Sequence, residues 1–179
     1  MWKNKEKTSS YYCVKQIKSQ IKKEIKVIQK EGINNHFIDK ILQPVYNFIV
    51  VFTQDELSSI KMAKIPFSLI VNLDYQGEKG SHWLSIHINH ETIEIFDSLG
   101  FESKYFNHYP KLIISFINKF SFNRFVLCSP VLQPVTSKLC GLYAIYFILS
   151  RQTKSFQDCL QPFNSHLYDN DQKLINFFK

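Results

Sequence analysis

The hydrophobic positions of this chain change period several times, and each change marks an element. Near the N-terminus Val14, Ile17, Ile21, Ile25 and Ile28 recur at helical spacing, Lys15, Lys18, Lys22, Lys26 and Lys30 fall on other faces, and Gly32 supplies a left-handed stop. This predicts a basic amphipathic helix over about 10–31. A second helix over 33–43 ends at Pro44, a strand follows over 48–52, and Asp55 opens a short helix. Pro66 precedes a strand over 67–73, and 74–80 is a polar, glycine-bearing loop. Leu84, Ile86 and Ile88 then alternate with Ser85, His87 and Asn89, as do Ile93 and Ile95 with Thr92 and Glu94. Strict alternation predicts a hairpin of 83–89 and 92–96 with one apolar face. Beyond it come a helix over 103–120, starting properly at Pro110, and a strand over 124–128. The run from Leu142 to Leu149 is apolar on every face and predicts a buried helix. Helices over 155–160 and 170–178, the last capped by Asn170, complete the chain.

No repeat or low-complexity linker interrupts these elements, and 179 residues suffice for one core rich in Phe and Tyr. One domain over 1–179 is predicted. The net charge of +7 is uneven: residues 1–30 carry nine lysines against Glu6 and Glu24, so the whole surplus lies there and the remainder is balanced. The simplest expectation is a helix docked by its isoleucine stripe with the lysines in solvent. The functional alternative is phosphate contact by Lys15, Lys18, Lys22, Lys23 and Lys26 on nucleic acid, and after that a membrane surface or a partner protein. No stretch reaches the roughly 18 apolar residues of a membrane span, and the N-terminus lacks the apolar core of a secretory signal. A soluble intracellular protein is expected. Cys13, Cys128, Cys140 and Cys159 show no metal-type or Cys-x-x-Cys spacing, so reduced thiols and no metal or organic cofactor are expected.

The chemistry lies in three places. Cys140-Gly141 begins the buried helix, where unpaired backbone N–H groups and the positive helix end favour thiolate. A lone cysteine there is more often a small core residue. Here, however, His82-Trp83 opens the hairpin and Asp97-Ser-Leu-Gly100 closes it, and the outer ends of antiparallel strands lie about 4.8 Å apart. Asp97 can then hold the Nδ1–H of His82 and leave Nε2 for a thiol, as in a nucleophile, base and orienter set. His87 and His90 are expected on the solvent face or turn of the hairpin, and His36, His108 and His166 have no partner pattern. Asp74 is expected to pair locally, and Asn72 and Ser81 are allowed a contact with substrate backbone.

In order, Phe52-Thr-Gln-Asp-Glu-Leu57, Pro66-Phe-Ser-Leu-Ile-Val-Asn-Leu-Asp74, Gly80-Ser-His-Trp83, Asp97-Ser-Leu-Gly-Phe101, Gln133-x6-Cys140-Gly141 and Asp171-Gln-Lys-Leu-Ile-Asn-Phe-Phe178 resemble the adenain-like cysteine proteases. That group serves adenoviruses, virophages and Maverick-Polinton type elements, and is distantly related to the SUMO-type proteases. The resemblance implies an α+β, papain-like fold with a mixed sheet packed on a central helix led by Cys140. It implies Cys140 as nucleophile, His82 as base and acid, Asp97 as orienter and Gln133 as oxyanion donor with the Cys140 N–H. Trp83 would shield the imidazole, and Gly141 would form part of the site wall. The activity implied is a viral endopeptidase that cleaves capsid precursors after small residues during virion maturation. It would act in the virion and in the infected cell, with DNA or a peptide as activator and no membrane partner. Asp97 departs from adenain, which has Glu, and Cys128 has no secure match to the family's peptide-linking cysteine. The alternatives are a ubiquitin- or SUMO-deconjugating protease, an acetyltransferase with the same Cys, His and acid, and a non-catalytic DNA-binding packaging protein.

Overall fold

The computed structural model describes residues 3–60, 64–78, 81–100, 109–121 and 123–179. Its centre is a five-stranded mixed sheet in chain order, of β1 (Phe48–Thr53), β2 (Phe67–Asn72), β3 (Trp83–Ile88), β4 (Thr92–Phe96) and β5 (Phe125–Cys128). The β2–β3 and β3–β4 pairs are antiparallel, and the outer pairs β1–β2 and β4–β5 are parallel. One sheet face is covered by α1 (Lys3–Glu31), α2 (Asn35–Leu42), α4 (Cys140–Arg151), α5 (Phe156–Leu160) and α6 (Leu167–Phe178). The other is covered by α3 (Lys111–Phe120) and a 3₁₀ turn at Gln54–Ser59.

α4 lies in the middle of the larger layer, and every residue from Gly141 to Ser150 is buried, which is why its sequence is apolar all round. Phe147 stacks on Phe96 of β4 at 4.6 Å between centroids, and Ser85 of β3 donates its hydroxyl to the Ala144 carbonyl at 3.0 Å. The helix that starts at Cys140 is therefore fixed to the hairpin that starts at His82. The isoleucine stripe of α1 is docked as expected, with Ile17, Ile21 and Ile28 buried and Gly32 closing the helix at φ +82°.

Two expectations are corrected. The hairpin is the sheet's interior and both of its faces are covered: Ser85 and Glu94 are buried and His87 is half-buried. Alternation in the sequence reflected polar groups that find partners under α4, not a face turned to water. His87 Nδ1 pairs with the Ser68 hydroxyl at 2.7 Å, and Glu94 accepts two bonds from Arg151 at 2.5 and 3.0 Å. Second, the last helix begins at Leu167, three residues before the expected cap. Asn170 lies inside it, fully buried, and donates Nδ2 to the carbonyls of Leu132 and Asn164 while Oδ1 accepts the Asn164 N–H. It braces the segment that leads to Gln133. α3 runs from Lys111 with Pro110 as its cap, where its proper start was expected; the earlier part of the expected helix, 103–108, lies outside the described residues.

Candidate active site

Cys140 is the first residue of α4, so its N–H is one of the orphan donors of the first turn. His82 precedes β3 and Asp97 follows β4, both buried. The imidazole meets Asp97 Oδ1 at 2.6 Å through Nε2, not through Nδ1 as the strand spacing suggested. The register explains the exchange. Ser85 stands opposite Phe96, so continuing the pairing sets Asp97 beside Leu84, two residues along the strand from His82. Across that diagonal it is the distal nitrogen that reaches the carboxylate. Nδ1 is left free of that bond, and the Cys140 thiol lies near enough to the ring to raise its pKa. Burial by itself disfavours the charged imidazole, but the bonds from Asp97 and Cys140 and their charges outweigh it and lift His82 to about 9.

Asp97 is held from four sides. Its Oδ1 also accepts the Leu99 N–H at 2.9 Å, Oδ2 accepts the Tyr109 hydroxyl, and its backbone N–H and carbonyl both engage the Ser129 hydroxyl, at 2.8 and 2.7 Å. Burial and the neighbouring carboxylate push the Tyr109 phenol up, which keeps it a donor. Gln133 is 1% exposed, and its amide is oriented on both sides: Oε1 accepts from Ser98 Oγ at 2.6 Å and Nε2 donates to the Ser137 carbonyl at 2.8 Å. One Nε2 hydrogen remains free of that bond. The Ser98 carbonyl also accepts the N–H groups of Leu132 and Gln133, both at 2.8 Å. This close seam requires Gly100, where φ is +91° and a Cβ would stand 2.6 Å from Val131 Cγ2. The Asp-Ser-Leu-Gly run thus has a part for three of its residues: one holds the His82 ring, one grips the Gln133 amide, and one lets the two segments meet.

Trp83 donates its indole N–H to the Ile33 carbonyl at 3.1 Å and packs on the start of α4, where a Cβ at Gly141 would come within 3.2 Å of both Trp83 and Ile33. Trp83, His82, Gln133 and Cys140 share an open groove of about 870 Å³. Asp74 does pair locally, accepting the Ser81 hydroxyl at 2.5 Å, and Asn72 and Ser81 also line the groove. The sites on α1 are elsewhere. Lys15, Lys23 and Lys26 are exposed, while Lys18 sits 3.4 Å over the Phe177 ring and Lys22 reaches the Lys179 carbonyl, both docking α1 on α6. Burial pushes Cys128 up to about 11 and Cys159 up to about 12.

Sequence reasoning missed Tyr109, Ser129 and Ser137, and gave Ser98 no role. Ser98 was findable from its place in the run between Asp97 and Gly100. Tyr109 was not, because it is brought to Asp97 from 12 residues away with no periodic pattern.

No protein-family model and no curated protein matches the chain. Among solved structures, the chain is similar to the ASFV pS273R protease crystallised with selenomethionine, with a TM-score of 0.51 and 15% identity, covering 82% of this chain and 66% of that one. It also aligns with AvrA bound to IP6 and CoA, at a TM-score of 0.46 and 14% identity over 90% of this chain and 66% of that one. The chain spans just under two thirds of either structure. On the first of these likenesses, the chain has the mixed α/β fold of the adenain-like and SUMO-type cysteine proteases.

Proposed function

We propose that this protein is a cysteine endopeptidase that cleaves structural precursor proteins of a virus or virus-like element. One observation carries the reading: the imidazole of His82, bonded to the buried Asp97 carboxylate at 2.6 Å and lifted to about 9, stands with the helix-terminal thiol of Cys140 in one open groove. The Cys140 thiolate attacks the scissile carbonyl carbon, and the oxyanion that develops takes the Cys140 N–H and the free Nε2 hydrogen of Gln133. His82 gives its Nδ1 proton to the leaving amine, forming the acyl-enzyme and a neutral imidazole. That imidazole then takes a proton from water, the hydroxide attacks the thioester, and the thiolate leaves as the acid product forms. Asp97 keeps Nε2–H engaged throughout, so the ring does not turn.

The test is alkylation of Cys140 by iodoacetamide against pH, followed by peptide mass spectrometry, in the wild type and in His82→Ala, together with digestion of a proteome-derived peptide library. Fast labelling below pH 7 that collapses in His82→Ala, with cleavages absent from Cys140→Ala, is expected. Labelling that rises only near the free-thiol pKa of about 8.5 in both proteins would sink the activated pair. Activated labelling without cleavage, accompanied by acetyl-coenzyme A binding, would favour acyl transfer instead. DNA stimulation through Lys15, Lys23 and Lys26 belongs to the same proposal, and equal hydrolysis with and without DNA at low salt would remove it.

A further inference from the structure

The described residues that line the groove carry a charge opposite to that of the chain. Among the described residues, Glu24, Glu31, Glu56, Asp74 and Glu78 line it against one ammonium, Lys138, whose Nζ is drawn to the Lys30 carbonyl at 3.0 Å. None of the five carboxylates has an ion-pair partner among the described residues. Glu56 and Glu78 accept bonds from Thr53 and Tyr75 that hold their own loops, and Glu24 and Glu31 have no hydrogen-bond partner among the described residues.

α1 shows how the sign is reversed. Glu24, Val27, Ile28 and Glu31 are spaced i, i+3, i+4 and i+7, which is one helix face, and that face forms a wall of the groove. None of the lysines from Lys15 to Lys30 lines it. From 12 onward, the helix that holds the whole positive surplus of the protein therefore presents acids and apolar residues here. Val27 and Tyr75 are half exposed and Val135 is 88% exposed, so apolar footing is interleaved with the carboxylates. A further feature points to a peptide main chain. Asn72 is 3% exposed and lines the groove; its Oδ1 accepts the Asp74 N–H at 2.9 Å, and its Nδ2 has no partner among the described residues. That amide is a donor waiting for a carbonyl.

We propose that this groove binds an extended peptide segment bearing lysine or arginine side chains beside the bond presented to Cys140. Glu24 and Glu31 on one wall and Asp74 and Glu78 on the other read the cations, and Asn72 takes a main-chain carbonyl. A cleft lined by one sign of charge concentrates its field, so the preference acts on capture of the substrate and weakens with salt. The proposal deepens the peptidase reading and rests on it only for the cleavage step, not for binding.

The binding test uses the full chain with Cys140→Ala and three fluorescein-labelled decapeptides that share a neutral alanine-glycine core. Their flanks carry Lys and Arg, Gln, or Glu. In anisotropy titrations at low salt the basic peptide is expected to bind about fivefold tighter per added charge than the Gln peptide, with the Glu peptide weaker still. Raising the salt narrows the gap, and adding Glu24→Lys with Glu31→Lys, both exposed positions, reverses the order. Equal affinities, an order unmoved by the double substitution, or no binding up to millimolar peptide would overturn the proposal. Digestion of the peptide library by the wild-type protein separates the two readings. Cleavage sites enriched in Lys and Arg are expected. Cleavage without that enrichment overturns the groove preference alone, whereas charge-ordered binding without any cleavage upholds the groove and overturns the peptidase.

Discussion

His82 and His87 lie five residues apart at either end of the same strand, and their environments drive them in opposite directions. Burial disfavours the charged form of both. At His82 the partners are Asp97 and Cys140, and the imidazole is lifted to about 9. At His87 burial is the main cause, the Arg151 charge adds to it and Glu94 only partly offsets it, and the imidazole falls to about 4. The polar network at the His87 end is closed on itself: Glu94 takes Arg151, the Thr92 hydroxyl at 3.1 Å and Asn89, and Ser68 takes the ring. The network at the His82 end is left open to a groove at the thiol and at one hydrogen of Gln133. Of two buried polar clusters on one hairpin, the first has the architecture of a fastener and the second of a reactive site.

The most severe way to break this contrast is to remove the open end. Cys140→Ala or His82→Ala should lower hydrolysis by about a thousandfold or more, while His87→Ala should leave it within about threefold. The alkaline limb sharpens the same point: kcat/KM should fall as pH rises through about 9, where His82 loses the proton it gives to the leaving amine. Stability should change with opposite tilts. The folded His82 holds its proton more tightly than the unfolded chain, so its contribution is complete below about pH 6.5 and is lost as pH rises through about 9. The folded His87 holds its proton less tightly, so stability falls as pH drops from about 6.5 toward 4, and urea melts of His87→Gln should lack that acid loss.

The closed end should break differently. Arg151→Met leaves Glu94 buried without its cation and should cost about 3–5 kcal/mol in urea melts, with the pH profile of Cys140 alkylation unchanged in the folded protein. His87 should titrate closer to its ordinary value in that variant, which NMR of the ring protons would read. Next in size, Gln133→Ala should reduce kcat by about a hundred- to a thousandfold with KM little changed, because its second hydrogen is used only as the oxyanion forms. The smallest expected effect is Tyr109→Phe. It strips one donor from a buried carboxylate, worth about 1–3 kcal/mol. As a positioning residue it should alter kcat and the position of the alkaline limb without moving KM, and a purely structural role would leave that limb in place.

The order of elements, the hairpin, the continuous apolar helix and the chain positions of His82, Asp97 and Cys140 were legible because each is a local property. Helical spacing sets Ile17, Ile21 and Ile28 on one face wherever α1 docks, and a tight turn between alternating strands makes their outer ends neighbours. Two expectations failed for one reason. Alternation shows which side chains share a face but not what covers that face, so His87 and Glu94 were assigned to water when α4 and its Arg151 lie over them. Asn170 was assigned to a helix start because its residue type favours caps, while its side chain is spent on two bonds to Asn164 and a third to Leu132, 38 residues away, which no local pattern shows.

The sequence by itself determined the elements, the basic N-terminal helix and the residues able to form a thiol site. Only the tertiary structure decided which imidazole nitrogen faces the acid, because that depends on a two-residue diagonal in the register. Only it brought Tyr109 to Asp97, set Ser98 and Ser137 on the two sides of the Gln133 amide, and turned the glutamates of a lysine-rich helix toward the groove. Charge and hydrogen bonding act through distance in space, and distance across the fold is written in no local pattern of residues.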